Sequence, residues 1–130
     1  MRIRFEMPKS DDNARSEQFK MIMSAAAALS ITLDIENFTY AWVGDTTRVA
    51  IAHEGETPVA FALMVHGRRY FDLQTSSSVL LCEGPARVQM LEFLKESSSV
   101  LGADVMYYQQ REGDVLQGEN VVMVAVKVRE

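Results

Sequence analysis

Arg48-Val49-Ala50-Ile51-Ala52-His53-Glu54-Gly55-Glu56-Thr57-Pro58-Val59-Ala60-Phe61-Ala62-Leu63-Met64-Val65 is the stretch that decides the fold. Arg48 to His53 is apolar and β-prone, Glu54 to Thr57 is a turn, and Pro58 to Val65 is the return strand of a hairpin. His66-Gly67-Arg68-Arg69 reads as the next turn. A third strand is predicted from about Tyr70 or Phe71 to Cys82, with room for an interruption at Thr75-Ser76-Ser77-Ser78. Its end, Val79-Leu80-Leu81-Cys82, is continuously apolar, as in a central strand covered on both faces. The chain then passes directly into a helix. Pro85 is placed at the first helical position, where its missing N–H has no intrahelical partner to lose. Val88, Leu91, Phe93, Leu94 and Leu101 form the apolar side of that helix, and Gly102 ends it.

Towards the N-terminus, Ile3 and Phe5 alternate with Arg2, Arg4 and Glu6, which predicts a short strand ended by Pro8. Ser10-Asp11-Asp12-Asn13 offers helix caps. Phe19, Ile22, Met23, Ala26, Leu29 and Leu33 then share one helical face, and the alanine block 25–28 lets that helix approach a sheet closely. Residues 34–46 are ambiguous. Phe38, Tyr40 and Trp42 alternate as in a strand, yet a loop or short helix accommodates them equally. The reading adopted is an irregular segment whose aromatics cover one end of the core, with Gly44-Asp45 as a turn. Towards the C-terminus, Asp104 to Gln110 is a strand, Arg111 to Asn120 a polar connection, and Val121 to Val128 a last strand. That last strand is expected to pair antiparallel with residues 104–110 or with an edge.

The order β-α-(irregular)-β-β-β-α-β-(loop)-β predicts an α/β (α+β) fold, a mixed, mostly antiparallel sheet flanked by two main helices. At 130 residues and 48% hydrophobic content, one domain over 1–130 is expected. The net charge of -5 argues against a basic nucleic-acid footprint. The single cysteine, Cys82, excludes an internal disulfide and fits a reducing compartment. No apolar run is long enough to span a bilayer. The charges in Met1-Arg2-Ile3-Arg4-Phe5-Glu6 occupy the place where a signal peptide is apolar. A cytoplasmic protein, or one packaged from a cytoplasm, is the expectation.

A strand running into a Gly-opened helix is a common phosphate site. Here the junction is Leu81-Cys82-Glu83-Gly84-Pro85-Ala86-Arg87. Pro85 has no N–H, Glu83 brings a carboxylate, and Arg87 is the only nearby cation. Like charges about 4 Å apart repel by roughly 1 kcal/mol in water and by more when desolvated. For the other candidates the structural reading outweighs the chemical one. Cys82 reads as a buried strand-end thiol rather than a nucleophile. His53 and His66 read as turn histidines separated by the return strand, so no metal pair is expected. Glu54 and Glu56 read as a solvated hairpin tip. Arg68, Arg69 and Tyr70 read as a solvated turn, with a phosphate or acidic partner as the alternative. Tyr107 and Tyr108 point to opposite sheet faces, one of them into the core. Trp42, with Phe38 and Tyr40, is placed under the helices, with an exposed aromatic contact patch as the alternative. No catalytic residue and no metal ligand is assigned.

Strand, helix, three-strand meander, Gly-opened helix and strand resemble the GNAT acyltransferase fold. The resemblance runs from Arg2 to about Gln110. Residues 49–62 look like the family's second and third strands. Residues 78–86, followed by Met90-Leu91-Glu92-Phe93-Leu94, look like its fourth strand and next helix. The family motif there, Gln/Arg-x-x-Gly-x-Gly/Ala, presents helix N–H groups to the pyrophosphate of acetyl-CoA. Gly84 and Ala86 match it, and Leu81 stands where Gln or Arg belongs. The resemblance implies that Gly84, Ala86 and Arg87 would hold acetyl-CoA if binding is retained. The eroded cradle favours instead no cofactor and a non-catalytic interaction or assembly role with protein partners, self-association included. The layout is also similar to the short GNAT-like internal virion proteins of short-tailed phages, which implies virion proteins as partners. A small N-acetyltransferase with an atypical cofactor loop is the alternative. A host-directed inhibitor binding through the Trp42 region or the last strand is the third reading.

Overall fold

The hairpin over residues 48–65 supplies the second and third strands of a six-stranded sheet. In the computed structural model, residues 1–44, 47–68, 75–111, 114 and 122–125 are described. The order is β1 (Arg2–Glu6), α1 (Asp12–Ala28), α2 (Ile35–Val43), β2 (Arg48–Glu54), β3 (Thr57–Arg68), β4 (Thr75–Glu83), α3 (Arg87–Val100), β5 (Val105–Tyr108) and β6 (Val122–Ala125). The strands lie side by side in chain order. β1 to β4 are antiparallel, and β5 and β6 are each parallel to the preceding strand. The mixed, mostly antiparallel sheet is as predicted, with three described helices rather than two.

Glu54 pairs with Thr57, so Gly55-Glu56 is a two-residue turn. Gly55 adopts φ +60 at its first central position, where such a turn requires glycine. Beyond it, β2 is buried on both faces. Val49 and Ile51 pack with Ile22, Ala26, Phe38 and Trp42 beneath α1 and α2. Ala50 and Ala52, with Ala60 and Ala62 of β3, form a flat floor under Met90, Leu91 and Leu94 of α3. Small residues here let the bulkier α3 side chains sit close to the sheet. Each residue of the predicted α1 face joins the first of these two clusters. Asp11 caps α1, its carboxylate accepting from the Ala14 N–H at 2.8 Å.

Four expectations are corrected. Residues 35–43 form a helix, because Asp34 accepts from the Asn37 N–H at 3.3 Å and so supplies an N-cap. Phe38 and Trp42 are one turn apart and both buried, while Tyr40 faces solvent. Their alternation in sequence is the sampling of two helix faces. The turn expected at residues 66–69 is strand as far as Arg68; Arg69 and Tyr70, and the strand start expected at Tyr70 or Phe71, lie outside the described residues. The serines 76–78 do not interrupt β4, since they pair with β3 on one side and β5 on the other. Finally, β6 runs parallel to β5, with Val105 opposite Val122. Among the described residues it ends the sheet order and pairs with β5 alone.

β4 and β5 are paired only at Ser76–Ser78 and Val105–Tyr107. Just beyond, the β3–β4 register slips by one residue at Leu80, and the side chain of Leu80 is exposed. Val79-Leu80-Leu81-Cys82 is therefore not covered on both faces throughout, as its apolar run had suggested. The two strands part there, and the mouth of the resulting cleft faces the start of α3.

Candidate functional site

The cleft is bounded by Val79 to Glu83 of β4, Tyr108 of β5 with Gln109 and Arg111, and Arg87 of α3. It encloses about 60 Å3. That is room for about two water molecules. What narrows it is Arg87. Its guanidinium, 12% exposed, reaches across the gap to Asp114, whose carboxylate is 5% exposed. The pair closes at 3.0 Å, and Nε also faces both carboxylate oxygens at 3.3 Å. The same guanidinium donates to the Cys82 carbonyl of β4 and to the Gln109 carbonyl just past β5. Arg87 thus ties together the two strands that diverge. A second clasp, Arg111 to Glu83, crosses the same mouth, and the Arg111 N–H donates to Asp114 at 2.8 Å.

Burial alone would raise the Asp114 pKa, but hydrogen bonds from Arg87 and the Arg111 N–H, and both guanidinium charges, hold it below the usual carboxylate range. The Cys82 thiol is pushed up to about 12, mainly by burial, and it donates to the Arg87 carbonyl at 3.7 Å. It is an inert core thiol at neutral pH. Tyr108 is buried and its phenol is raised, again mainly by burial. Tyr107, on the other sheet face, is half-buried. Each result agrees with the structural reading of these side chains.

The helix start differs from its expected form. α3 begins at Arg87, with Ala86 at the cap making no side-chain bond, so Pro85 precedes the helix instead of opening it. The Ala86 N–H donates to the Val59 carbonyl at 2.9 Å, and the Arg87 N–H to the Gly84 carbonyl at 3.1 Å. Gly84 sits at φ +122, and a Cβ there would lie 2.5 Å from the Val59 oxygen and 2.8 Å from the Ala60 Cα. Glycine is required because this turn lies directly on the backbone of β3.

Gly84, Ala86 and Arg87 are therefore brought together, but each already has an internal role. These internal roles compete with holding an acyl-CoA diphosphate. Pro85 offers no N–H, and the next two donors are taken by protein carbonyls. Glu83 with Arg111, and Asp114 with Arg87, leave no surplus positive charge. Arg87 is not the only cation beside the junction, since Arg111 joins it. Neither Arg111 nor Asp114 was singled out from sequence; both lie in the polar connection after β5, and only the parallel return of β5 beside β4 brings them here.

Elsewhere, Glu54 and Glu56 are exposed at the hairpin tip, as expected. His53, read as a turn histidine, is corrected to a half-buried β2 residue paired with Arg2 of β1 and Pro58 of β3. His66 is corrected from a turn residue to a β3 residue, its Nδ1 2.9 Å from the Ser77 Oγ on β4. Burial, then the Arg48 charge, lowers its pKa. Trp42 is 1% exposed and donates from Nε1 to the Glu6 carbonyl at 2.9 Å, so it belongs to the core. Lys95 of α3 is also buried and faces Glu92 at 3.1 Å, off the line a hydrogen bond needs. Among the described residues no group of three or more His, Cys, Asp or Glu is placed to hold a metal ion. None of their helices is long and apolar enough to cross a membrane.

No family model and no curated protein matches the sequence. Solved structures do match the fold. An aminoglycoside acetyltransferase from an uncultured soil metagenomic sample, crystallised with trehalose, is 10% identical, with TM-score 0.62, covering 87% of this chain and 79% of that one. A ribosomal-protein-alanine N-acetyltransferase from Brucella melitensis is 8% identical, with TM-score 0.60, covering 86% and 81%. A GNAT family acetyltransferase from Staphylococcus aureus is 9% identical, with TM-score 0.60, covering 100% and 99%. At such identities the likeness concerns the path of the backbone alone, and on that evidence the fold of this chain is GNAT-like.

Proposed function

We propose that this chain is a GNAT-fold protein without acyl-CoA chemistry, which works by binding other proteins. The observation that carries this reading is the Arg87–Asp114 clasp, closed across the cleft, with the Ala86 amide bonded to the Val59 carbonyl of β3 and the Arg87 amide to the Gly84 carbonyl. A guanidinium with three protein acceptors has little left to offer a diphosphate. Releasing it would strand a carboxylate that is almost fully buried, a cost of about 3–5 kcal/mol. An assembly role within a virion, implied by the narrower sequence resemblance, is one form of this reading. An N-acetyltransferase is the second reading. What favours it is that, among the described residues, the Val88 and Gln89 N–H groups have no backbone acceptor.

Thermal unfolding with and without 1 mM acetyl-CoA, one hundred times a Kd of about 10 μM, separates the two. A ligand at about 100 times its Kd adds about 2.7 kcal/mol, which for a chain of this length raises Tm by about 10 °C. An unchanged Tm is expected. A rise of that size would overturn the proposal.

A further inference from the structure

We infer that the outer face of α2 is a docking surface for a basic amphipathic helix of a partner protein. This rests on the binding role argued above and names the surface that performs it. α2 is anchored by Phe38 and Trp42 on its inner side. Its outer side carries Ile35, Tyr40 and Val43 at 59%, 85% and 52% exposure. These residues line one open groove of about 1050 Å3 with Glu36, Asn37, Thr39 and Gly44. Ile35, Thr39 and Val43 also border a second groove running between α2 and α1. Ile35–Thr39–Val43 and Glu36–Tyr40–Gly44 are adjacent rows at spacing four. Two rows with a furrow between them, exposed except at the half-buried Thr39, are what a facing helix interdigitates with.

Charge selects the occupant. α2 has no basic residue. Asp34 and Glu36 stand at its N-terminal end, and its last turn carries no basic residue against the partial negative charge of its C-terminal end. The one arginine bordering the second groove, Arg15, is paired with Asp12 at 2.6 Å. A second copy of this chain would therefore set Glu36 against Glu36, or against an uncompensated helix C-terminus, and would bring no positive charge in either orientation. A partner helix with apolar residues at i, i+4 and i+7, flanked by Lys or Arg, satisfies both the rows and the charge. α2 is nine residues, about 14 Å, so about three turns of a partner cover it.

The test uses a fluorescent peptide of about 18 residues, leucine and lysine in helical amphipathic pattern, and its leucine–glutamate twin. Anisotropy is read at about 0.15 M salt, where loose charge attraction is screened. The lysine peptide is expected to bind at least about tenfold more tightly than its twin, a difference of about 1.4 kcal/mol. The double variant Tyr40→Ser/Val43→Ser, altered only at exposed positions, is expected to lose at least about tenfold while its Tm is kept; by light scattering the unmodified chain is not a dimer through this face. Absence of binding, equal binding of both peptides, an unaffected double variant, or a dimer that the double variant disperses would each overturn the inference. Acetyl-CoA thermal shifts on the same samples keep the two claims apart: a shift there would remove the non-catalytic reading and leave the peptide result standing.

Discussion

Replacing Arg87 with methionine keeps the length and apolar stem of the side chain and deletes its charge. In the folded protein this removes the donors to the Cys82 and Gln109 carbonyls and leaves the Asp114 carboxylate with the Arg111 N–H as its remaining hydrogen bond. Breaking a buried ion pair from one side costs about 3–5 kcal/mol. The nearby Arg111 guanidinium still offsets part of the Asp114 charge, so the lower end, about 3 kcal/mol, is expected. At about 2.1 cal/mol/K per residue of unfolding entropy, that loss lowers Tm by about 11 °C for this chain. Asp114→Asn should cost about 2 kcal/mol, since it leaves Arg87 charged but still bonded to two carbonyls. The double variant should cost less than the sum of the two by at least about 1 kcal/mol, because the second change removes a group already left without its partner. Urea unfolding with an unchanged m-value measures all three. A loss under about 1 kcal/mol for Arg87→Met, or strict additivity, would show that the clasp does not hold the cleft closed.

Gly84→Ala should destabilise the protein by about 2–4 kcal/mol, from the positive φ and the displaced Ala86–Val59 hydrogen bond; a loss below about 1 kcal/mol in urea would mean the turn does not rest on β3. Because Asp114 titrates below its unfolded value, its contribution is complete above about pH 5 and disappears as pH falls through about 4 and below. The stability gap between the unmodified chain and Asp114→Asn should therefore shrink in that acid window, and a gap constant from pH 7 to pH 3 would contradict the assigned pairing. Cys82 should resist iodoacetamide at pH 8 in the folded state and react on unfolding in urea. Equal rates in both states would place the thiol at the surface.

The hairpin was legible because β2 and β3 carry continuous apolar runs around a turn that needs glycine, and neither property depends on distant residues. α1 was legible for the same reason, since Phe19, Ile22, Ala26 and Leu29 repeat at helical spacing. α2 was not, because Phe38, Tyr40 and Trp42 satisfy a period of two and a spacing of four at once; the distinguishing residue was Asp34, whose capping role only the folded backbone displays. The direction of β6 was misread because alternation gives a strand its faces and leaves its polarity open. At the Gly84 junction the N–H that Pro85 lacks was legible, but the helix start was placed two residues early. What sequence withheld was the cause of the closure, since Arg87 with Asp114 and Glu83 with Arg111 are 27 and 28 residues apart and meet only where β4 and β5 diverge.

The most direct measurement is an acetyl-CoA titration followed by amide NMR at Ala86, Arg87, Val88 and Gln89, the first amides of the helix that follows β4. These signals are expected to stay in place up to millimolar coenzyme. A saturable shift of the Val88 and Gln89 amides, accompanied by loss of the Arg87–Asp114 contact, would contradict it.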